Sequence, residues 1–199
     1  MKNYSAILIL LAFTLANCGG NNQTGTEAAR QEEDTTKVSF FPVTSFLKGQ
    51  AAELDSMQIT FLHTVTINNK TDSVWEKREN IGQILKPFFA EEINDSNLVA
   101  YFKPTKFFDQ TINAVTFTYD PIKPLPDSLT LRHWDLYINP ETGKVTKLYM
   151  IREMSGAGKK ITLQQTWQTG KWAKLVTLSH ESGDSIKLVR EDKLTWNFE

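Results

Sequence analysis

From residue 57 to 67 apolar and polar side chains alternate. Ile59, Phe61, His63, Val65 and Ile67 fall on one side and Thr60, Thr64 and Thr66 on the other, which is the period-two pattern of a strand with one buried face. Before it, Phe46, Leu47, Ala51 and Leu54 recur at three and four positions and predict a short helix over 45–54. After it, Ser73-Val-Trp-Glu76 has the form of a capping box, in which the serine oxygen accepts from a backbone amide of the first turn and the glutamate returns the bond. Val74, Ile81, Ile84, Leu85 and Phe88 then give the apolar stripe of a second helix, ended near Pro87 by the missing amide hydrogen of proline. A third helix is expected over 96–102, begun by Asp95 and stopped before Pro104.

Beyond Pro104 the period changes to two. Strands are predicted over 111–119, 130–138, 144–153, 160–167, 171–180 and 185–198. Turn chemistry separates them: Pro140 and Gly143 in the clearest hairpin, then Thr169-Gly170 and Ser182-Gly183-Asp184. Ser155-Gly-Ala-Gly158 joins two predicted strands and reads as a hairpin loop. N-terminal helices followed by a run of adjacent strands predict an α+β fold, with the helices packed on a strongly curved antiparallel meander sheet of six or seven strands.

The first residues do not belong to that fold. Lys2 precedes an uncharged apolar run from Ala6 to Leu15, long enough for a signal-peptide core and too short to span a bilayer. Leu15-Ala16-Asn17-Cys18 resembles the lipobox of type II bacterial signal peptides, with Asn17 where that family prefers a smaller residue. The resemblance implies a leader over 1–17, removed before Cys18, and acylation of Cys18, with palmitate-type chains holding the protein on a membrane. Several chains anchor stably where one binds marginally. Cys18 is the single cysteine of the chain, so lipidation also accounts for an otherwise unpaired thiol in an exported protein. Residues 19–37 are polar and charged apart from a pair of alanines and suit a flexible tether. Residues 38–199 are left for one domain of ordinary size.

Charge and composition narrow the partners. The net charge is −1 and the densest cationic points are the pairs Lys77-Arg78 and Lys159-Lys160, which argues against nucleic acid as a ligand. No phosphate loop, Gly-x-Ser-x-Gly elbow or His-Glu-x-x-His occurs, so no catalytic residue, cofactor or metal ligand is assigned. The histidines His63, His133 and His180 lie on different predicted strands. His133 and Asp135 share a strand face, where a carboxylate can orient an imidazole, and an exposed polar pair is the bland alternative. His63 reads as a hydrogen-bonded core residue and His180 as a solvated turn residue.

Aromatic residues make up 11% of the chain and fall on both faces of the predicted strands. The helices can cover one face, so rings on the other are available to a ligand or partner. Trp134, Tyr137, Tyr149, Trp167 and Trp172 are the candidate contact residues, with burial of all five in the core as the competing outcome. The domain as a whole resembles small lipoproteins of Gram-negative envelopes, and its element order is similar to that of lipoprotein carrier proteins, whose half-open sheet is covered by helices. The resemblance implies a cell-envelope location, lipid-anchored on the periplasmic side or the cell surface. It also implies a binding or assembly module for an apolar small ligand or an envelope protein. An envelope hydrolase built around His133 and Asp135 is the alternative.

Overall fold

The computed structural model describes residues 40–90, 92–93, 98–156, 159–180 and 185–198. The expected leader, Cys18, the tether, the start of the helix at 96–102, part of the 155–158 loop and the turn at 182–184 lie outside the described residues. The described chain runs α1 (Val43–Ser56), β1 (Phe61–Ile67), β2 (Lys70–Glu76), α2 (Arg78–Leu85), a 3₁₀ turn (Lys86–Phe89), β3 (Phe102–Asp109), β4 (Ala114–Pro121), β5 (Leu131–Ile138), β6 (Val145–Gly156), β7 (Lys159–Gln168), β8 (Trp172–His180) and β9 (Ile186–Thr195). The class is α+β, as the patterning predicts.

Two details of the expectation are corrected. The sheet has nine strands in the order β2-β1-β9-β8-β7-β6-β5-β4-β3, not six or seven. The helices do not all precede it, because the β1–β2 hairpin is inserted between α1 and α2. The apparent capping box is the source of one error. Residues 73–76 continue β2, paired antiparallel with β1 through Asn68 and Asn69, both at positive φ, a conformation asparagine tolerates better than most residues. Helix α2 therefore starts at Arg78. The other extra strand, β3, contains Pro104. Proline cannot donate to a ladder, but β3 is an edge with β4 alone as its neighbour, the place where a strand accepts it. Phe102, expected in a third helix, begins this strand.

Helix α1 buries Val43, Leu47 and Leu54, and α2 buries Ile81 and Leu85, spacings that fall on one helix face. Where Pro87 enters, the chain tightens into the 3₁₀ turn and turns Phe88 into the core. All these side chains pack on one face of the sheet, in a cluster with Leu136, Leu148, Met150, Ala173 and Leu194. A buried polar chain fastens the two layers: Arg152 donates from Nε to Gln165 Oε1 at 2.9 Å, and Gln165 donates to the Pro87 carbonyl at 2.8 Å.

Trp134 and Trp167 form the aromatic centre of this core. Neither has exposed surface. Trp134 stacks on Tyr119 with centroids 4.4 Å apart and lies 4.8 Å from Phe102. Trp167 meets Phe88 edge-on at 5.6 Å and Trp196 at 5.4 Å. The hairpin expected at Pro140 and Gly143 is present between β5 and β6: Gly143, at φ +65, donates to the Asn139 carbonyl, and Asn139 Oδ1 accepts from the Glu141 and Thr142 amides.

Candidate functional site

Residues opposite one another in an antiparallel ladder point to the same face. Leu136, Leu148, Trp167, Ala173 and Leu194 are successive partners from β5 to β9, and all are buried under the helices. One residue further along each strand, the chain turns to the outer face, away from the helices. There Tyr137, Lys147, Gln168, Trp172, Thr195 and Leu62 are successive partners from β5 to β1. Trp75 of β2 continues this row beyond Leu62.

This register separates the aromatic candidates. Tyr137, Tyr149 and Trp172 are half-buried on the outer face. Trp134 and Trp167 are core residues of the opposite face, and their expected place in a contact surface is corrected accordingly. Each packs its ring fully against other rings and reaches no surface.

His133 and Asp135 do share the outer face. Imidazole Nε2 is 3.1 Å from Asp135 Oδ2, and Nδ1 is 2.7 Å from Oδ1 of Asp120 on β4. The hydrogen bond with Asp135 and the nearby charge of Asp120 outweigh burial and push the His133 pKa up to about 9. Burial alone would raise the Asp135 carboxyl, but hydrogen bonds from His133 and from Thr118 hold it below the usual carboxylate range. The Thr118 hydroxyl donates at 2.6 Å and the Tyr137 hydroxyl at 3.4 Å. Burial and the Asp135 charge push Tyr137 up to about 12, and raise Tyr149 as well. At neutral pH His133 is therefore a doubly protonated cation with both ring nitrogens donating to carboxylates. A general base needs one nitrogen free to take a proton, and this imidazole has none.

His63 repeats the arrangement on the helix-facing side. Its nitrogens lie 3.3 Å from Glu76 and 3.0 Å from Asp192, so it is a hydrogen-bonded, nearly buried residue, as its place in the alternation predicts. Arg190 grips Asp192 through two contacts of 2.6 and 2.7 Å. With the His63 contact these hold the Asp192 carboxyl low against the opposing effect of burial. His180, expected in solvent at a turn, is instead half-buried at the end of β8, 2.8 Å from the Thr162 hydroxyl.

Two open cavities lie along the outer row. One, about 330 Å³, is lined by Tyr137, Lys147 and Gln168 together with Asn113, Asn139 and Thr146. The other, about 580 Å³, is lined by Trp172, Lys171, Lys193, Asn197 and Phe198, with Leu62 and two threonines. Lys147 Nζ sits 3.8 Å from the Tyr137 ring centre and Lys193 Nζ 5.1 Å from that of Trp172, within cation–π range. Trp75 is 61% exposed and meets Phe198, 59% exposed, edge-on at 5.8 Å. A third, apolar cavity of about 280 Å³ opens on the helix-facing side between Phe40, Pro42, Phe117 and Leu136.

Sequence reasoning missed Asp120, Thr118, Lys147, Lys193, Trp75 and Phe198. Thr116 and Thr118 face Tyr137 and Asp135 on β5, and Asp120 follows two residues on along the same alternation, so extending the 111–119 strand by one residue would have found the aspartate. Trp75 was hidden by the helical reading of residues 73–76. Compared with known proteins, the chain matches no family model, no curated protein and no solved structure.

Proposed function

We propose that this chain is a lipid-tethered lipoprotein of the bacterial cell envelope, acting as a binding or assembly module whose contact surface is the outer face of the sheet. The observation that carries the reading is the asymmetry of the two faces. The helices bury the central part of one face, while the other keeps Tyr137, Tyr149 and Trp172 at the surface beside two cavities. The tether, the anchoring of Cys18 and the envelope location rest on the N-terminal motif. The strong curvature expected of the sheet belongs to the same reading, supported by register shifts between β5 and β6 and between β8 and β9, which bend strands locally. The hydrolase alternative loses its base, because both nitrogens of His133 are occupied.

Intact mass of the protein from the membrane fraction tests the anchor: the expected chain starts at an acylated Cys18, and an unmodified thiol or another start rejects it. The contact surface is tested on the Cys18→Ala chain. Its retention on washed envelope fractions should fall about tenfold on Trp172→Ala, a loss typical of one ring contact, and should be unchanged on Glu53→Ala in the exposed surface of α1. Equal retention of both variants would remove the outer face from the reading.

A further inference from the structure

The outer row crosses the whole sheet. From Tyr137 it runs through Thr116 to Phe107 on edge strand β3, and in the other direction to Trp75 on edge strand β2. All nine strands contribute one residue to it, over roughly 38 Å at the ~4.8 Å spacing of paired strands. Gln168 and Trp172 are direct partners across β7 and β8, so the two outer cavities, one lined by Gln168 and the other by Trp172, are neighbouring sections of one track.

We infer that this track binds an extended anionic glycan strand, an assignment that rests on the outer face being the contact surface. Its direction excludes recognition by strand addition. The row runs perpendicular to the strands, through a region where the backbone groups are already used in ladders, so only side chains are left to hold a ligand. Along it, rings are interspersed with hydrogen-bonding groups: Tyr137 and Trp172 keep part of their rings at the surface, each with a lysine ammonium over one face, while Gln168 and Thr195, with Asn139 and Asn197 of the cavity walls, offer amides and a hydroxyl. A chain of sugars presents the matching pair of surfaces, an apolar C–H face on each ring and hydroxyls at its edges. One sugar advances such a chain by about one interstrand spacing, so successive rings and polar groups of the track meet successive sugars.

Charge supplies the sign. The two cavity linings contain Lys147, Lys171 and Lys193 and no aspartate or glutamate, and Asp135, which accepts from the Tyr137 hydroxyl, is itself paired with His133. A local excess of one sign along a groove favours a ligand of the other. Carboxylate- or sulfate-bearing sugars fit this better than neutral ones. A bilayer surface would engage the projecting Trp75 and Phe198 at one end of the row, whereas Tyr137 and Trp172 are half-buried beside the cavities.

The test uses the full chain with calorimetry and tryptophan fluorescence. The probes are alginate, chondroitin sulfate and soluble peptidoglycan strands, with dextran as the uncharged control and anionic phospholipid vesicles as the membrane control. At least one anionic glycan should bind. Its affinity should rise from a disaccharide to oligomers that span the track and fall with added salt. Trp172→Ala should weaken binding about tenfold with a shift in melting temperature of no more than a few degrees. Lys147→Gln combined with Lys193→Gln should flatten the salt dependence. Failure of all three anionic glycans to bind, dextran binding as tightly, or binding indifferent to these variants overturns the assignment. If the same variants release the protein from envelope fractions or vesicles and no glycan binds, the outer face stands as the contact surface and the glycan falls. If they affect none of the assays, both readings fall.

Discussion

Trp167 and Trp172 lie on neighbouring strands, in adjacent rows of the same ladder, yet they face different worlds. Trp167 has no exposed surface and is enclosed by Phe88 and Trp196. Trp172 stands half-buried on the outer face with Lys193 over its ring. The same holds for Leu148 and Lys147, or for Leu136 and Tyr137, each pair adjacent in one strand. The backbone is common to both rows and the sheet pairs them equally well. What differs is whether a helix lies over them. In the central strands an aromatic residue is thus a core residue or a surface residue by parity, whereas on edge strand β3 both Phe107 and Phe108 are exposed, and the contrast can be pressed experimentally.

The largest effect is expected from emptying the covered row. Trp167→Ala or Trp134→Ala should cost roughly 3–5 kcal/mol, read as a lower midpoint in urea. A cost below about 1 kcal/mol would mean that the helices do not seal that face.

The charged network on the outer face should contribute less, and in a pH-dependent way. His133 is raised from 6.5 to about 9 in the folded chain. Its contribution is therefore fully present below pH 6.5 and is lost as pH rises through 9. Because the imidazole is 23% exposed, screening limits the effect to on the order of 1 kcal/mol. The stability difference between wild type and His133→Gln should shrink over that window. A difference that instead grows with pH would mean the imidazole is neutral when folded.

Thr116 offers a test of opposite sign. Its hydroxyl is buried on the outer side and has no hydrogen-bond partner among the described residues. Thr116→Val keeps the shape, removes the unsatisfied group, and should stabilise by about 1 kcal/mol. Destabilisation in thermal melts would reveal a hydrogen bond there. The smallest change belongs to Trp172→Ala, which should alter stability by no more than about 1 kcal/mol. A loss matching that of Trp167→Ala would erase the distinction between the two rows.

Most of the sheet was legible because its central strands obey one rule. Alternation located β1 and β4 to β9 to within a few residues, and placed His133 beside Asp135 and Trp134 opposite Tyr137. The edges broke the rule for physical reasons. Strand β2 is exposed along nearly its whole length, so no buried face imposed a period on it, and a local Ser-x-x-Glu match prevailed. Strand β3 carries a proline that only an edge permits. The site was half legible: parity put the residues of one strand on one face, but sequence does not tell which face the helices take. Nor does it tell which strands become neighbours, and the row joining Tyr137 to Trp172 exists only through that neighbour order.

The placement of β9 between β8 and β1 bears on how the chain reaches this state. His63 and Asp192 are 129 positions apart, and the first hairpin can join the rest of the sheet only through the last strand. Closing so long a loop is entropically slow and contributes to a high contact order. A chain emerging N-terminus first cannot join its first hairpin to the rest of the sheet until β9 has arrived. Until then the inner edges of β1 and β8 stay open, so β9 acts as the latch of folding. Deleting that strand should leave two unjoined sheets with unpaired edges prone to aggregate.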